Sequence, residues 1–86
     1  MSDTHWYVYI VRCADASLYT GVAKNIDSRI ALHNVGRGAK YTRARLPVTL
    51  VYREAVVDRS AALRRECAIK RLRSAAKRKL IAQSVD

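Results

Sequence analysis

Two runs of aromatic and β-branched residues stand close together near the start of the chain: Trp6 to Cys13 (Trp-Tyr-Val-Tyr-Ile-Val-Arg-Cys) and Leu18 to Ala23 (Leu-Tyr-Thr-Gly-Val-Ala). A short polar break around Asp15-Ala16-Ser17 is all that separates them. Such runs read as strands, and so short a connection closes them into an antiparallel hairpin. Side chains alternate between the faces of a sheet, so the length of the turn decides which residues share a face. If Cys13 pairs with Ser17 across a three-residue turn, Val11 faces Tyr19, and Tyr9 lies on the same face as Tyr19. A two-residue turn puts the two tyrosines on opposite faces.

Downstream, Asp27-Ser28 is placed to cap a helix that runs to about Val35, with Ile26 in front as a hydrophobic staple. Gly36-Arg37-Gly38 ends that helix and opens a basic loop, Lys40 to Arg45, which Pro47 closes. Val48 to Val57 reads as a third strand. Asp58 caps a helix from Arg59 to about Arg73, and Ser74 a last one from Ala75 to Gln83. The predicted fold is α/β, in the order β-β-α-β-α-α, with a three-stranded antiparallel sheet flanked by helices. Three strands cannot hide their apolar faces without such a cover. A chain of 86 residues has room for one domain, spanning 1–86, with a small core.

Half of the residues are hydrophobic, which favours a folded chain over a disordered one. No stretch approaches the roughly 20 apolar residues that span a bilayer, so no membrane association is predicted. Met1 to His5 lacks the basic and apolar regions of a secretion signal. Cys13 and Cys67 are the only cysteines. Without CxxC spacing they form neither a disulfide framework nor a zinc site, and both read as buried, reduced thiols of a cytoplasmic protein. Lys and Arg outnumber Asp and Glu 17 to 7, a net charge of +10. That charge is self-repelling, and a polyanionic partner, nucleic acid above all, is the usual reason to carry it. Charge alone does not separate an enzyme from a binder.

Tyr7-Val8-Tyr9 and Tyr19-Thr20-Gly21 stand at the spacing of the two motifs that name the GIY-YIG nuclease superfamily, and the chain resembles that superfamily. Arg29 and His33 on the next predicted helix, then Glu66 on a later one, follow in the family's order. Gly38-Ala39-Lys40-Tyr41-Thr42…Pro47-Val48…Leu50-Val51-Tyr52 and Glu66…Ile69-Lys70…Leu72 resemble the small stand-alone branch related to the N-terminal domain of excinuclease. The resemblance covers Trp6 to Ile81. It implies a metal-dependent DNA endonuclease using Mg²⁺ or Mn²⁺ and no small-molecule cofactor, with Tyr9, Tyr19, Arg29, His33 and Glu66 as catalytic residues. One tyrosine of the pair is implied to help activate the water, and Tyr19 is the favoured one. The chain departs from the family pattern in three places. Tyr7 replaces the first glycine, Val22 stands where many members have lysine, and no asparagine follows Glu66.

The residue types suit that chemistry. Between Arg59 and Val85, Glu66 is the only acid among nine basic residues. It sits on a mostly apolar stripe with Ala62, Leu63, Ile69 and Lys70. A carboxylate there needs a partner. That partner is either a salt bridge to Lys70 or Arg29, or a hard divalent ion that takes one carboxylate plus waters. Arg29 and His33 stand four apart on one helix face. Arg29 can grip a phosphate in a fork. His33 can polarise a water or hold a phosphate oxygen, or simply complement the helix C-terminus. A free phenol has a pKa of about 10, so a tyrosine base needs a cation beside it.

Lys40, Arg43 and Arg45 are candidate phosphate contacts, with Lys24 in place of the family lysine and Lys70 beside Glu66. Tyr41 is placed to stack on a base. The predicted partner is DNA, single-stranded or distorted in preference to intact duplex, with RNA as the alternative nucleic acid. The competing function is a catalytically weak, basic nucleic-acid-binding module, and a third is a domain that docks on an acidic protein.

Overall fold

Strands β1 (Trp6–Arg12) and β2 (Leu18–Ala23) form the expected hairpin in the computed structural model, which describes residues 5–83. Residues 1–4, most of the segment read for a secretion signal, lie outside the described part. The turn has the odd length. Cys13 N–H donates to the Ser17 carbonyl at 2.8 Å, and Ala16 N–H donates back to the Cys13 carbonyl at 2.9 Å. Ala16 takes φ 69°, the left-handed residue that follows a tight turn in a three-residue hairpin loop. Asp15 Oδ1 stiffens the loop by accepting from the Ser17 N–H at 3.0 Å and from its hydroxyl. The resulting register sets Val11 against Tyr19 and Tyr9 against Gly21. Tyr9 and Tyr19 therefore share a face.

Strand β3 (Thr49–Val56) pairs antiparallel with the other side of β1, so the order is β2-β1-β3. Tyr9 pairs with Arg53, and a bulge between Ile10 and Val11 shifts the register beyond it. Both faces are covered, as a sheet this small requires. On the Tyr9 face, Val11, Cys13, Ala23, Ile26 and Val48 form one core, with Ile30 of helix α1 (Ile26–Asn34) packed on it. On the opposite face, Val8, Ile10 and Tyr52 pack against Ala62 and Ile69 of α3 (Arg59–Lys70) and against Leu80 and Ile81 of α4 (Ser74–Gln83). Each fully buried side chain of this size contributes about 1.5–3 kcal/mol relative to exposure.

Several details correct the sequence reading. The cap of α1 is Asn25, whose Oδ1 accepts from Ser28 N–H at 3.0 Å. The helix starts at Ile26, whose side chain lies in the core at 5% exposure. The basic loop contains a one-turn helix, α2 (Lys40–Arg43), so the order is β-β-α-α-β-α-α. Asp58 caps α3 as expected, accepting from Ala61 N–H at 2.8 Å, but the helix ends at Lys70. Cys13 is buried and Cys67 is exposed. Cys67 lies about 140° around the helix from Ala62, so it faces away from the sheet. Asn34 ties the end of α1 to the entry of β3 by exchanging two hydrogen bonds with the Val48 backbone, at 2.8 and 3.1 Å.

Candidate active site

Tyr9 lies at the middle of the central strand and is 2% exposed. Its ring crosses over Gly21 on β2 closely enough that a Cβ there would lie 2.5 Å from the hydroxyl. The family's second-motif glycine thus clears space for the first motif's tyrosine. The Tyr9 hydroxyl meets His33 Nε2 at 2.9 Å. His33 is 1% exposed, and its Nδ1 meets Thr42 Oγ1 at 2.8 Å. Thr42 in turn donates to the Ala39 carbonyl at 2.9 Å.

This chain of bonds assigns the protons. A carbonyl only accepts, so the single hydroxyl proton of Thr42 goes to Ala39. Thr42 Oγ1 must then accept from His33 Nδ1–H, which leaves Nε2 as the lone-pair nitrogen. Tyr9 therefore donates its proton to His33. Gly38 lies against the same imidazole, where a Cβ would collide with Nδ1. Both ring nitrogens are engaged and the ring is enclosed, which corrects the expectation that His33 holds a water or phosphate oxygen directly.

Electrostatics agree with this assignment. The Tyr9 pKa is pushed up to about 12, first by burial and then by the Tyr19 and Glu66 negative forms, against an opposing pull from the Arg29 guanidinium. Burial and the Arg29 charge both hold His33 below the usual imidazole value. At neutral pH the pair is thus a phenol and a neutral imidazole. Arg29 and Glu66 come from different helices, and both act on Tyr9.

Tyr19 is half-buried beside this pair. Its ring stands edge-on to His33 at 5.6 Å and stacks on Tyr41 at 5.9 Å with 19° between the planes. The Arg45 guanidinium lies 3.9 Å over the Tyr41 ring. It also bonds the Tyr41 carbonyl at 2.8 Å and Asp15 Oδ2 at 3.1 Å. Arg45 thus clamps α2 to the hairpin turn, and Tyr41 is packed on its own neighbours. Strand β2 is a free edge of the sheet. Helix α3 lies across β1 and β2, so its side chains reach the tyrosine face past that edge. Lys70 Nζ stands 5.9 Å over the Tyr19 ring and 3.2 Å from Glu66 Oε2.

The fold therefore gathers Tyr9, Tyr19, His33, Tyr41, Arg45 and Lys70, with Arg29 and Glu66 acting on Tyr9. Lys24 is not in this group. Its ammonium lies 5.7 Å over Trp6, which packs with the Val8 and Ile10 face. Lys40 and Arg43 are exposed on α2. Sequence reasoning missed the roles of Thr42 and Gly38, since neither charge nor periodicity marks them. Among the described residues no group of three or more His, Cys, Asp and Glu side chains could hold a metal ion. What the site offers is one half-buried carboxylate, Glu66, paired with the Lys70 ammonium at 3.2 Å. A single carboxylate is a hard oxygen ligand of the kind a divalent cation takes alongside waters and substrate oxygens.

The family model for the GIY-YIG catalytic domain matches residues 5–79. The chain belongs to the GIY-YIG family. A UPF0213 protein of Desulfotalea psychrophila is 56% identical over 80 residues, covering 92% of this chain and 73% of that one. A UPF0213 protein of Staphylococcus haemolyticus is 55% identical over 75 residues, covering 87% and 92%. The solution structure of a UPF0213 protein from Bacillus halodurans matches with TM-score 0.61 and 41% identity, over 93% of this chain and 85% of that one. A second solution structure, from E. faecalis, matches with TM-score 0.63 and 32% identity, over 99% and 92%. The chain thus resembles the small stand-alone proteins of this nuclease family along nearly all of its length. No helix among the described residues is long and apolar enough to cross a membrane.

Proposed function

We propose that this GIY-YIG domain is a metal-dependent endonuclease that hydrolyses phosphodiester bonds in single-stranded or distorted DNA in the cytoplasm. The observation that supports it is the Tyr9–His33 hydrogen bond at 2.9 Å, made by a phenol whose pKa is raised by burial, Tyr19 and Glu66 against the opposing pull of Arg29. Hydrolysis requires a water to lose a proton while charge on the phosphoryl oxygens is neutralised. Tyr19, at the exposed side of the pair, orients the water. Tyr9 accepts the water's proton as its own passes to His33 Nε2, so no free phenolate forms. His33 is neutral at neutral pH, so its Nε2 lone pair is free to accept. Thr42 keeps Nδ1 protonated, and the imidazolium formed is offset by the negative charge developing on the phosphoryl oxygens. Arg29 grips the phosphoryl oxygens. Glu66 would hold the Mg²⁺ or Mn²⁺ ion, which supplies Lewis-acid stabilisation when bound. Lys40 and Arg43 on the exposed side of α2 contact the backbone.

A second reading is favoured by one observation. The Glu66–Lys70 pair at 3.2 Å satisfies the carboxylate without any metal, as in a binding module for DNA or RNA. Cleavage of end-labelled single-stranded, duplex and branched DNA and of RNA separates the two, with Mg²⁺, Mn²⁺ or EDTA and beside Glu66→Ala and Tyr19→Phe. Metal-dependent cutting lost in both variants establishes the nuclease. Binding without cutting under every metal establishes the module.

A further inference from the structure

The face that carries Tyr9 and Tyr19 extends one strand further than the site described above. Arg53 on β3 pairs directly with Tyr9. Directly opposed residues share a face, with Cβ atoms about 4.5–5.5 Å apart. Arg53 is exposed. Among the described residues it has no ion-pair partner. The neighbouring acid, Glu54, is taken by Arg65, whose Nε lies 3.0 and 3.1 Å from its two oxygens. Beside Arg53 opens a polar cleft of about 220 Å³, lined by Tyr7, Lys24, Asn25, Ile26, Asp27 and Arg53. Its lining holds two cations against one acid. Tyr7 lies two residues from Tyr9 on the same face of β1, about 7 Å along the strand. Through Arg53, which stands opposite Tyr9, the cleft thus lies next to the strand position of the buried Tyr9; Lys24 lines it while its ammonium lies over Trp6.

We propose that the cleft between Tyr7, Lys24 and Arg53 is a second phosphate subsite, which holds the backbone of the nucleic-acid strand next to the phosphodiester at Tyr9. This rests on the reading of the chain as a nucleic-acid enzyme, but not on its ability to cut. The uncompensated Arg53 guanidinium supplies a fork for two phosphate oxygens. A strand gripped at two successive phosphates is fixed in direction across the sheet, which positions the bond to be cut.

The test measures binding of a single-stranded DNA oligonucleotide to the full chain by fluorescence anisotropy over a range of salt concentrations. Arg53→Ala is compared with Arg64→Ala, which removes the same charge from an exposed position on α3. Loss of one phosphate contact lowers the slope of log K against log salt by about 0.7 for a single strand. The expected result is that drop, with affinity falling about fivefold near 0.1 M salt, in Arg53→Ala and not in Arg64→Ala. A scan replacing each phosphate by a neutral methylphosphonate then identifies one position that weakens the wild type and leaves Arg53→Ala indifferent. Equal slopes for the two variants overturn the subsite, as does failure of the wild type to bind. A protein that binds with the expected slopes but never cuts keeps the subsite and loses the nuclease reading, so the two fail separately.

Discussion

The Tyr9 hydroxyl and His33 Nε2 are held 2.9 Å apart, and the direction of the proton between them is fixed at the far side of the imidazole by Thr42. A side chain with no charge, on a helix of one turn, thereby decides whether Tyr9 acts as a hydrogen-bond donor or acceptor toward His33. The first motif's tyrosine cannot be understood without residue 42.

Thr42→Val is expected to leave His33 Nδ1–H without an acceptor in a buried position, costing about 1–3 kcal/mol. In a domain this small, each kcal/mol lowers Tm by roughly 4–8 °C. Cleavage should fall further than the lost stability explains, because the imidazole becomes free to adopt the other tautomer. Thr42→Ser should restore both. Imidazole ¹⁵N chemical shifts read the tautomer directly. Unchanged shifts in Thr42→Val remove the positioning role.

Gly21→Ala places a methyl 2.5 Å from the Tyr9 hydroxyl and 2.7 Å from its Cζ. The ring must move off His33 or the hairpin must spread, a crowding that costs typically 1–3 kcal/mol. Gly36→Ala is the comparison. Gly36 has φ 81° with open space around it, so alanine there strains only the backbone, by about 1–2 kcal/mol. Both variants should melt earlier than the wild type. Gly21→Ala alone should lose cleavage.

Much of this was legible in the chain. The strand runs of the hairpin announce themselves by composition, and the phase condition linking turn length to the faces of Tyr9 and Tyr19 is pure alternation. What the residues did not announce is that the turn has three residues. The left-handed position is filled by Ala16 rather than by glycine or asparagine, so no ordinary turn signal marks it. Asn25 and Asp27 are both good caps by residue type, and only the bond from Ser28 N–H to Asn25 Oδ1 selects the first. Helix α2 is too short for any periodicity to betray it. His33 reads from the sequence as able to hold a water or phosphate oxygen or to complement the helix end, because nothing local shows that Gly38 and Thr42 lie against its ring.

The two ionisable partners predict opposite edges of a pH profile. His33 has a folded pKa below its unfolded value of about 6.5. The unfolded chain therefore binds more protons on the acid side, and the contribution of His33 to stability, present above about pH 6.5, is lost as pH falls through the folded value. Tyr9 is shifted the other way, to about 12, so its contribution is present below about pH 10 and lost between 10 and 12. Each pKa unit corresponds to about 1.4 kcal/mol. Denaturant unfolding across pH should show both edges, and Tyr9→Phe should flatten the alkaline one. Cleavage should also fall on the acid side, because protonated Nε2 no longer accepts from Tyr9.

Lys70 separates the two roles open to Glu66. In a purely structural pair, an i,i+4 contact between a half-buried carboxylate and an exposed lysine is worth a few tenths of a kcal/mol. Lys70→Ala would then lower stability slightly and do nothing else. If Glu66 is the metal ligand, Lys70 competes with the ion for the same carboxylate. Lys70→Ala should then tighten Mn²⁺ binding several-fold, and Glu66→Gln should abolish it. Calorimetric titration with Mn²⁺ alone reads this without any cleavage. Because Lys70 also stands over the Tyr19 ring, its removal takes a cation from beside that phenol, so turnover should fall even as the metal binds more tightly. Tighter Mn²⁺ binding joined to slower cutting is the signature of a lysine that guards the carboxylate and serves the tyrosine. Unaltered Mn²⁺ affinity in both variants assigns Glu66 to the ion pair alone.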